Sequence, residues 1–358
     1  MATITVLGAG MMGSAWCVPL LDAGHRVLLV GTHLDDALIE GLAARRHHLT
    51  LKLDLPEALE PLPLSELPRA VAEADVVGLG VSSAGIDWAA EALAPHLGER
   101  PVMLITKGLE WDGEQLITLP DRFVSQLRTA AERGGQAAAP GLAPVAVAGP
   151  CIAGELARRV ETCVVMAGRD PELTRRLAAM VRTPYYHGFP SDDLVGVEVC
   201  AALKNAYAMG IAFGAGLHQA AGGEPGSVAM HNHESAVFAQ ASVEMLRLVT
   251  ALGGEVASVV GLAGVGDLDV TCNGGRTGRF GRLLGAGHSV SEAVRLMEGA
   301  TLECLAILEI MREAVPRLEQ AGALEAGSVP LLMHLWEVAL QGAPVAVPFP
   351  RCFAGLSG

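Results

Sequence analysis

The amino-acid sequence predicts an α/β N-terminal domain with a doubly wound, Rossmann-like sheet, followed by an all-α C-terminal domain. At 358 residues the chain is too long for one ordinary hydrophobic core. Up to about residue 189, short apolar runs alternate with helical patterns, which indicates parallel strands joined by crossover helices. Beyond that point helical periodicity dominates. We therefore expect a dinucleotide-binding domain at 1–189 and a helical substrate domain at 190–358.

Strands and helices alternate in the first half. The strands are predicted at 3–7, 26–30, 75–81, 101–106, 144–148, 162–166 and 184–187. The helices are predicted at 11–23, 85–97, 114–134 and 170–182. The segment 133–144 is rich in Gly, Ala and Pro, so we expect a surface loop there.

Helical patterns separated by Gly-rich joints make up the second half. They are predicted at 192–214, 233–253, 289–297, 302–321 and 328–341. The segment 214–230 contains Gly222-Gly223 and Glu224-Pro225-Gly226, which predicts a loop joining two long helices.

The net charge of −14 argues against nucleic acid or an anionic membrane as the main partner. The chain opens with a strand-like run, 4–7, and not with a basic segment followed by a hydrophobic one. The most apolar long window, 195–217, contains Glu198 and Lys204, which argues against a membrane span. We expect a cytoplasmic protein.

Neither cysteines nor histidines show the pattern of a metal site. The seven cysteines are odd in number and include no C-x-x-C, so reduced thiols are expected, and Cys272 is expected to be a buried bystander. His47-His48 and 231–234 lack the i, i+4 spacing and the third ligand that zinc needs. We expect no bound metal.

A nucleotide-binding turn is predicted directly after the first strand. Gly8, Gly10 and Gly13 follow this strand and open the first helix. The first glycine permits a tight turn, the second lets a pyrophosphate approach the backbone, and the third lets helix and strand pack closely. The helix N-terminus then favours the negative phosphates.

The second strand carries no carboxylate directly at its end. Gly31-Thr32-His33 follows the strand, and Asp35 comes late. A carboxylate at this point would select NAD by its ribose hydroxyls and repel the extra phosphate of NADP. Arg45 and Arg46 are either countercharges for that phosphate or solvated helix-end residues. NADPH and NADH both stay open, and the sequence leans slightly to NADP(H).

Two stretches of the helical half have the features of a chemical site. Lys204 and Asn205 lie inside a largely apolar helix, where an unpaired Lys is costly. Lys204 is therefore either functional or a residue that extends to the surface. In 261–281, glycines indicate close backbone approach, and arginines lie in a flexible turn ahead of another helix. Arg at a helix start is typical of phosphate binding.

At these residues the chain resembles the NAD(P)-dependent glycerol-3-phosphate dehydrogenases, nearly end to end. The segments that carry the resemblance are Gly8-Ala9-Gly10-Met11-Met12-Gly13, Thr106-Lys107-Gly108-Leu109, Ala148-Gly149-Pro150-Cys151-Ile152-Ala153-Gly154-Glu155, Ala202-Leu203-Lys204-Asn205, Gly264-Val265-Gly266-Asp267 through Thr271, and Met297-Glu298-Gly299.

The resemblance implies a role for each matching residue. Lys204 would be the general acid, Asp267 would hold its ammonium group, and Lys107 would add a second cation beside the reacting oxygen. A small phosphorylated substrate would be bound by Asn205, Thr271, Arg276 and Thr277. The cofactor would be bound by Gly8, Gly10, Met11, Met12, Gly13, Thr32, Val81, Ser82, Lys107, Gly149, Arg276 and Glu298. A homodimer is also expected.

Three positions depart from the family pattern. Thr277 replaces an Asn after Arg276, Glu234 replaces a cation, and Gln240 replaces an Arg. These changes leave three hypotheses open. The first is reduction of dihydroxyacetone phosphate to glycerol 3-phosphate. The second is the same chemistry on another phosphorylated or anionic polyol or keto compound. The third is a non-catalytic dinucleotide-binding paralogue, against which the intact site residues argue.

Overall fold

A computed structural model describes residues 1–135, 141–224, 230–273 and 275–354 of the chain. These residues form two compact units. Unit 1 comprises Met1–Lys107 and Ile117–Leu194, and unit 2 comprises Gly108–Leu116 and Val195–Gly358. The short segment 108–116 thus belongs to the helical unit, although it interrupts the α/β unit in sequence.

Unit 1 is built around a mixed sheet. The strands of the chain are β1 Thr3–Leu7, β2 Arg26–Val30, β3 His47–His48, β4 Leu53–Asp54, β5 Glu60–Leu62, β6 Val76–Leu79, β7 Val102–Leu104, β8 Leu109–Trp111, β9 Leu116–Thr118, β10 Val145–Ala148, β11 Thr162–Ala167 and β12 Tyr186–Ser191. Over the described ranges the large sheet has the order β12-β11-β10-β7-β6-β1-β2-β5. The run from β5 to β10 has the doubly wound order of a dinucleotide-binding sheet, so the predicted fold class is confirmed.

Helices cover both faces of this sheet. They are α1 Met11–Asp22, α2 Asp36–Arg45, α3 Leu67–Glu73, α4 Ile86–Leu93, α5 Leu119–Arg133, α6 Ala153–Leu156 and α7 Pro171–Met180. Alternate residues of β2 enter two separate cores, with Val27 and Leu29 packing near α1 and α7, and Leu28 and Val30 packing near α3, α4 and α5. This alternation explains why the strand is apolar throughout.

Unit 1 differs from the sequence prediction in the direction of one strand, in the start of one helix and in several short elements that were not predicted. Strand β11 runs antiparallel to β10, with Ala146 opposite Ala167, because the connection between them contains only the four-residue helix α6. Helix α5 begins at Leu119 and not at residue 114, because the Thr118 side chain caps the helix by accepting a hydrogen bond from the Asp121 N–H. Helices α2, α3 and α6 and strands β3, β4 and β5 were not predicted.

Unit 2 is almost entirely helical. Its helices are α8 Leu194–Ile211, which begins at the boundary with unit 1, α9 Phe213–Ala220, α10 His231–Ala251, α11 Val256–Val260, α12 Asp267–Cys272, α13 Arg276–Gly285, α14 Val290–Leu296, α15 Glu303–Gln320, α16 Pro330–Gln341 and α17 Phe349–Cys352. A single π-helical turn, Leu262–Gly266, precedes α12. The predicted C-terminal helical architecture is therefore confirmed.

Helix α9 corrects the predicted loop at 214–230. Its glycines lower helix propensity but permit close packing, since a Cβ atom on Gly216 would lie 2.2 Å from the carbonyl oxygen of Arg282 in α13. Of the predicted loops, residues 225–229 and 136–140 lie outside the described part of the chain.

One helical stretch of the described chain, Leu194–Ala220, is long and apolar enough to cross a membrane by length and composition alone. In the structure 83% of its most apolar window is buried, as expected for the core helix of a folded domain.

A buried carboxylate joins α10 to α16. The side chain of Glu244 accepts hydrogen bonds from the N–H groups of Leu331 and Leu332 at 2.7 and 2.8 Å. It also accepts from Gln240 Nε2 at 2.8 Å and from the Tyr207 hydroxyl at 3.1 Å. Burial raises the pKa of Glu244, and these donors oppose the rise. The amide of Gln240, one of the departures from the family pattern, is thus bonded to Glu244.

Candidate active site

In the predicted nucleotide turn of unit 1, backbone segments pack closely against one another. Gly8 has a φ of 110°, and a Cβ atom on it would lie 2.8 Å from the carbonyl carbon of Gly80. A Cβ atom on Gly13 would lie 2.1 Å from the oxygen of Gly8. Strands β1 and β6 and helix α1 therefore meet without side chains between them. Gly80, which was not among the expected cofactor residues, follows β6 as Gly8 follows β1.

Gly10 differs from the other glycines of the turn. A Cβ atom on it would have no described protein atom within 4 Å, so protein packing does not explain the residue. Gly10 is the N-cap of α1, and within the described residues no side chain caps this helix and no acidic residue occupies its first turn. The N–H groups here suit an anion. A dinucleotide pyrophosphate therefore fits this turn, beside Met11 and Met12.

The loop after β2 folds back onto the turn. Asp35 Oδ2 accepts hydrogen bonds from the Thr32 N–H and hydroxyl, both at 2.8 Å, and from the Ala9 N–H at 3.1 Å. The expectation that no carboxylate faces this end of β2 is therefore wrong. The loop closes by a bond from the Asp35 N–H to the Thr32 carbonyl, and sequence spacing alone does not reveal that bond. The preference for NADP(H) over NAD(H) stays a prediction.

Other expected cofactor residues follow neighbouring parallel strands of the sheet. Val81 and Ser82 follow β6, Lys107 follows β7, and Gly149, with a φ of 128°, follows β10. The Thr106 hydroxyl donates to the Val81 carbonyl at 2.7 Å and so joins two of these strand ends. The carboxyl ends of parallel strands share one edge of the sheet, where ligands of this fold class bind.

The central feature of unit 2 is an ion pair between Lys204 and Asp267. Lys204 Nζ lies 2.5 Å from Asp267 Oδ1, and the two side chains are 13% and 2% exposed. Lys204 therefore does not extend into solvent, which excludes the surface alternative, and its catalytic role stays a prediction. A buried ammonium group held by a buried carboxylate is typical of a functional site.

The glycine-rich segment before Asp267 forms the π turn. The Gly266 N–H donates to the Gly261 carbonyl at 3.1 Å, which is the i to i−5 bond of a π turn. A Cβ atom on Gly264 would lie 2.0 Å from the carbonyl oxygen of Val259. The glycines thus allow the chain to fold tightly and to place Asp267 at the start of α12.

The expected substrate residues lie on three helices of unit 2. Asn205 Nδ2 donates to Glu303 Oε2 at 3.0 Å, and the Thr271 hydroxyl donates to the Asp267 carbonyl at 2.6 Å. Arg276 is the exposed first residue of α13, and Thr277 is buried beside it. The arginines thus lie in the helix itself and not in a flexible turn ahead of it. Gly274 is outside the described residues.

Glu298, the remaining expected cofactor residue, is exposed in a turn after α14 with a φ of 52°. Arg279 Nη2 donates to the Leu296 carbonyl at 2.7 Å and so secures the entrance to this turn. Backbone at positive φ is uncommon outside glycine. The role of Glu298 in cofactor binding stays a prediction.

Cys272 lies in a negatively charged surrounding. Burial raises the pKa of its thiol to about 12, and the carboxylates of Asp269 and Glu234 add to the rise. The thiol therefore stays protonated at neutral pH. In the part of the chain that the structure describes, no group of three or more His, Cys, Asp or Glu side chains could hold a metal ion.

The fold and these residues define a class of protein, namely a nicotinamide-dependent oxidoreductase with a doubly wound nucleotide-binding unit and a helical unit that carries a buried Lys–Asp pair. Two family models match the chain: the N-terminus of NAD-dependent glycerol-3-phosphate dehydrogenase over residues 3–174, and its C-terminus over residues 193–347. The chain belongs to the NAD-dependent glycerol-3-phosphate dehydrogenase family.

Individual relatives agree with this assignment. The NADP(+)-dependent glycerol-3-phosphate dehydrogenase of Archaeoglobus fulgidus is 34% identical over 297 residues, which cover 82% of this chain and 83% of the relative. The glycerol-3-phosphate dehydrogenase [NAD(P)+] of Moorella thermoacetica is 31% identical over 350 residues, covering 96% and 93%. The name of the first relative specifies NADP(+), and that of the second specifies NAD(P)+.

Solved structures show the same fold. The glycerol-3-phosphate dehydrogenase of Coxiella burnetii has a TM-score of 0.76 at 24% identity and covers 100% of this chain and 99% of its own. The enzyme of Saccharomyces cerevisiae has a TM-score of 0.78 at 21% identity, covering 98% and 99%.

The two glycines of the turn should respond differently to alanine. Gly10→Ala should raise the Kd for NADH or NADPH about tenfold or more, because the methyl group would meet the phosphates, while the free energy of unfolding changes by less than about 1 kcal/mol. Gly13→Ala should destabilise the protein by about 3 kcal/mol through its clash with Gly8. Fluorescence titration and denaturant unfolding measure both effects. Unchanged cofactor affinity in Gly10→Ala would contradict the assignment of the turn.

Proposed function

We propose that this protein reduces dihydroxyacetone phosphate reversibly to sn-glycerol 3-phosphate with NADH or NADPH, and that Lys204 is its general acid and base. Membership of the family supports the reaction. The observation that carries the role of Lys204 is its buried ion pair with Asp267 at 2.5 Å. The names of the relatives and the chemistry of the site agree on oxidation and reduction at a CH–OH carbon.

Proton transfer is the task of unit 2 in this scheme. The nicotinamide, when bound, supplies the hydride. Lys204 Nζ gives a proton to the carbonyl oxygen of the substrate and takes one from the alcohol in the reverse direction. Asp267 accepts a hydrogen bond from the ammonium group, so the group keeps its position and its charge is balanced. Lys107 contributes a further cation that stabilises the developing alkoxide.

Substrate binding falls to the groups around the start of α13. Arg276 is exposed at the first position of this helix, where the guanidinium and the free N–H groups can both bind phosphate. The Thr271 hydroxyl directs its proton to the Asp267 carbonyl and therefore offers its lone pairs as an acceptor. Asn205 and Thr277 complete the proposed set.

We further propose that the protein works in the cytoplasm as a homodimer with no nucleic-acid or membrane partner. The net charge of −14 and the burial of the apolar stretch Leu194–Ala220 support this placement. The frequency of twofold assemblies among enzymes supports the dimer.

A second candidate is the same chemistry on a different phosphorylated or anionic substrate. The charge of the Glu234 carboxylate contributes to the raised pKa of the Cys272 thiol, and Cys272 is the chain neighbour of Thr271. A negative charge therefore lies near this part of the proposed site, where the family pattern has a cation. This charge would disfavour a phosphate dianion. The third hypothesis, a non-catalytic paralogue, is disfavoured because the Lys204–Asp267 pair would have no purpose in mere cofactor binding.

Replacement of Lys204 should separate catalysis from binding. Lys204→Arg keeps a cation beside Asp267, so the fold should survive, but guanidinium does not release its proton. We expect turnover to fall about 1,000-fold, with the Kd for NADH or NADPH unchanged. Stopped-flow turnover and cofactor fluorescence measure the two quantities. Turnover within a few-fold of the wild type in Lys204→Arg and Lys204→Ala would contradict the role of Lys204.

Removal of the negative charge at Glu234 should favour the phosphate. Glu234→Gln should lower the KM for dihydroxyacetone phosphate about threefold, with kcat nearly unchanged, because one repulsive charge is lost. Glu313→Gln, an exposed change on α15, is the control. Steady-state kinetics decide, and an unchanged or higher KM in Glu234→Gln would show that this carboxylate does not face the phosphate.

A further inference from the structure

The peptide groups on either side of Ala9 are held by side chains from outside the nucleotide turn. Ala9 lies between Gly8 and Gly10 and is fully buried. Its N–H donates to Asp35 Oδ2 at 3.1 Å, and its carbonyl oxygen accepts from His48 Nε2 at 3.1 Å and from the Ser14 hydroxyl at 3.0 Å. Both polar groups of Ala9 are therefore bonded within unit 1.

His48 has a defined tautomer. Its ring is fully buried, and its Nδ1 accepts a hydrogen bond from the Leu51 N–H at 3.1 Å, so Nδ1 carries no proton. The proton of the neutral ring is thus on Nε2, which donates it to the Ala9 carbonyl.

Strand β3 places the two neighbouring histidines on opposite faces. His48 points to the nucleotide turn, and His47 points outward to Asp54 Oδ1 at 2.8 Å. His48 is therefore a buried strand residue that contacts the nucleotide turn.

Hydrogen bonds from Thr32 orient the side chain of Asp35 toward Ala9. The N–H and the hydroxyl of Thr32 both bind the same oxygen, Oδ2, at 2.8 Å. Thr32, an expected cofactor residue, therefore has its hydroxyl proton directed to Asp35.

These two bonds set the directions of two peptide planes. A trans peptide is planar, so its N–H and C=O point in opposite directions. The bond from His48 to the Ala9 carbonyl fixes the peptide that ends in the Gly10 N–H, and the bond to Asp35 fixes the peptide between Gly8 and Ala9. Neighbouring glycines leave this turn many alternative conformations. Side chains that hold the turn in one conformation reduce the conformational entropy that the turn loses when the ligand binds.

We infer that Asp35 and His48 are positioning residues for the dinucleotide, which fix the Ala9 peptides and thereby aim the Gly10 N–H and the first turn of α1 at the phosphates. This inference rests on the proposal that the Gly8–Gly13 turn binds the dinucleotide. It predicts equal effects of both residues on NADH and NADPH binding, because the peptides that they hold meet the phosphates that both cofactors share.

Two substitutions of His48 each remove one of its two hydrogen bonds and keep the other. His48→Asn keeps an acceptor for the Leu51 N–H but is too short to reach Ala9, whereas His48→Gln keeps a donor near the position of Nε2 and loses the acceptor for Leu51. His47→Asn is the control on the same strand. The full-length proteins are titrated with NADH and with NADPH by fluorescence, and their thermal unfolding is compared.

His48→Asn should raise the Kd for both cofactors about tenfold, with Tm within a few degrees of the wild type. His48→Gln and His47→Asn should stay within about twofold of the wild type. At saturating cofactor the KM for dihydroxyacetone phosphate should be unchanged in all three. An equal loss of cofactor affinity in His48→Asn and His48→Gln, or no loss of affinity in either variant, would overturn the inference for His48.

Asp35→Ala tests the second contact. We expect a Kd about tenfold higher for NADH and for NADPH alike. Tighter binding of NADPH alone would overturn the positioning role, since Asp35 would then act directly on the ribose. If the wild-type protein bound neither cofactor, the dinucleotide assignment would fail, and this inference with it. Wild-type binding with unchanged variants would overturn this inference alone.

Discussion

The helical unit depends on one buried ion pair. An ammonium group in an apolar helix is tolerated only beside a carboxylate, and Lys204 and Asp267 meet this condition at 2.5 Å. Asp267 reaches its position because the π turn before α12 packs backbone against backbone at Gly264. The same helix start directs the Thr271 hydroxyl to the Asp267 carbonyl. The tight, glycine-rich turn thus places one carboxylate beside one amine.

In the α/β unit, the important constraint is that the backbone N–H groups of the nucleotide turn are held in fixed directions. Gly8 and Gly13 let β1, β6 and α1 approach, and at Gly10 the position of a Cβ atom has no packing contact with the described residues. Tight packing of glycines alone does not select one peptide orientation. The bonds that Asp35 and His48 make with Ala9 supply that selection from outside the turn. In the proposed function, the groups for proton transfer and the groups for cofactor binding are therefore held by separate contacts.

Local patterns predicted the fold class, the glycine turn and Lys204 as a candidate functional residue, because each is visible in a short, contiguous segment. The pairing of Lys204 with Asp267 was expected only from the resemblance to a known family. Features that depend on contacts between separate segments of the chain were missed. Asp35 reaches Ala9 through a loop closure, and His48 does so through a small hairpin, neither of which has a signature in residue spacing. Helix α9 was missed because Gly222-Gly223 and Glu224-Pro225-Gly226, which favour a loop, follow it closely in sequence. Gly80 could have been found as the glycine that follows a buried strand beside β1.

The most direct test of the account follows nicotinamide absorbance while the wild-type protein is mixed with dihydroxyacetone phosphate and with NADH or NADPH in parallel. The account predicts rapid oxidation of at least one cofactor, with glycerol 3-phosphate as the product. Cofactor binding by fluorescence without oxidation by dihydroxyacetone phosphate would contradict the proposed substrate and would point to the negative charge at Glu234.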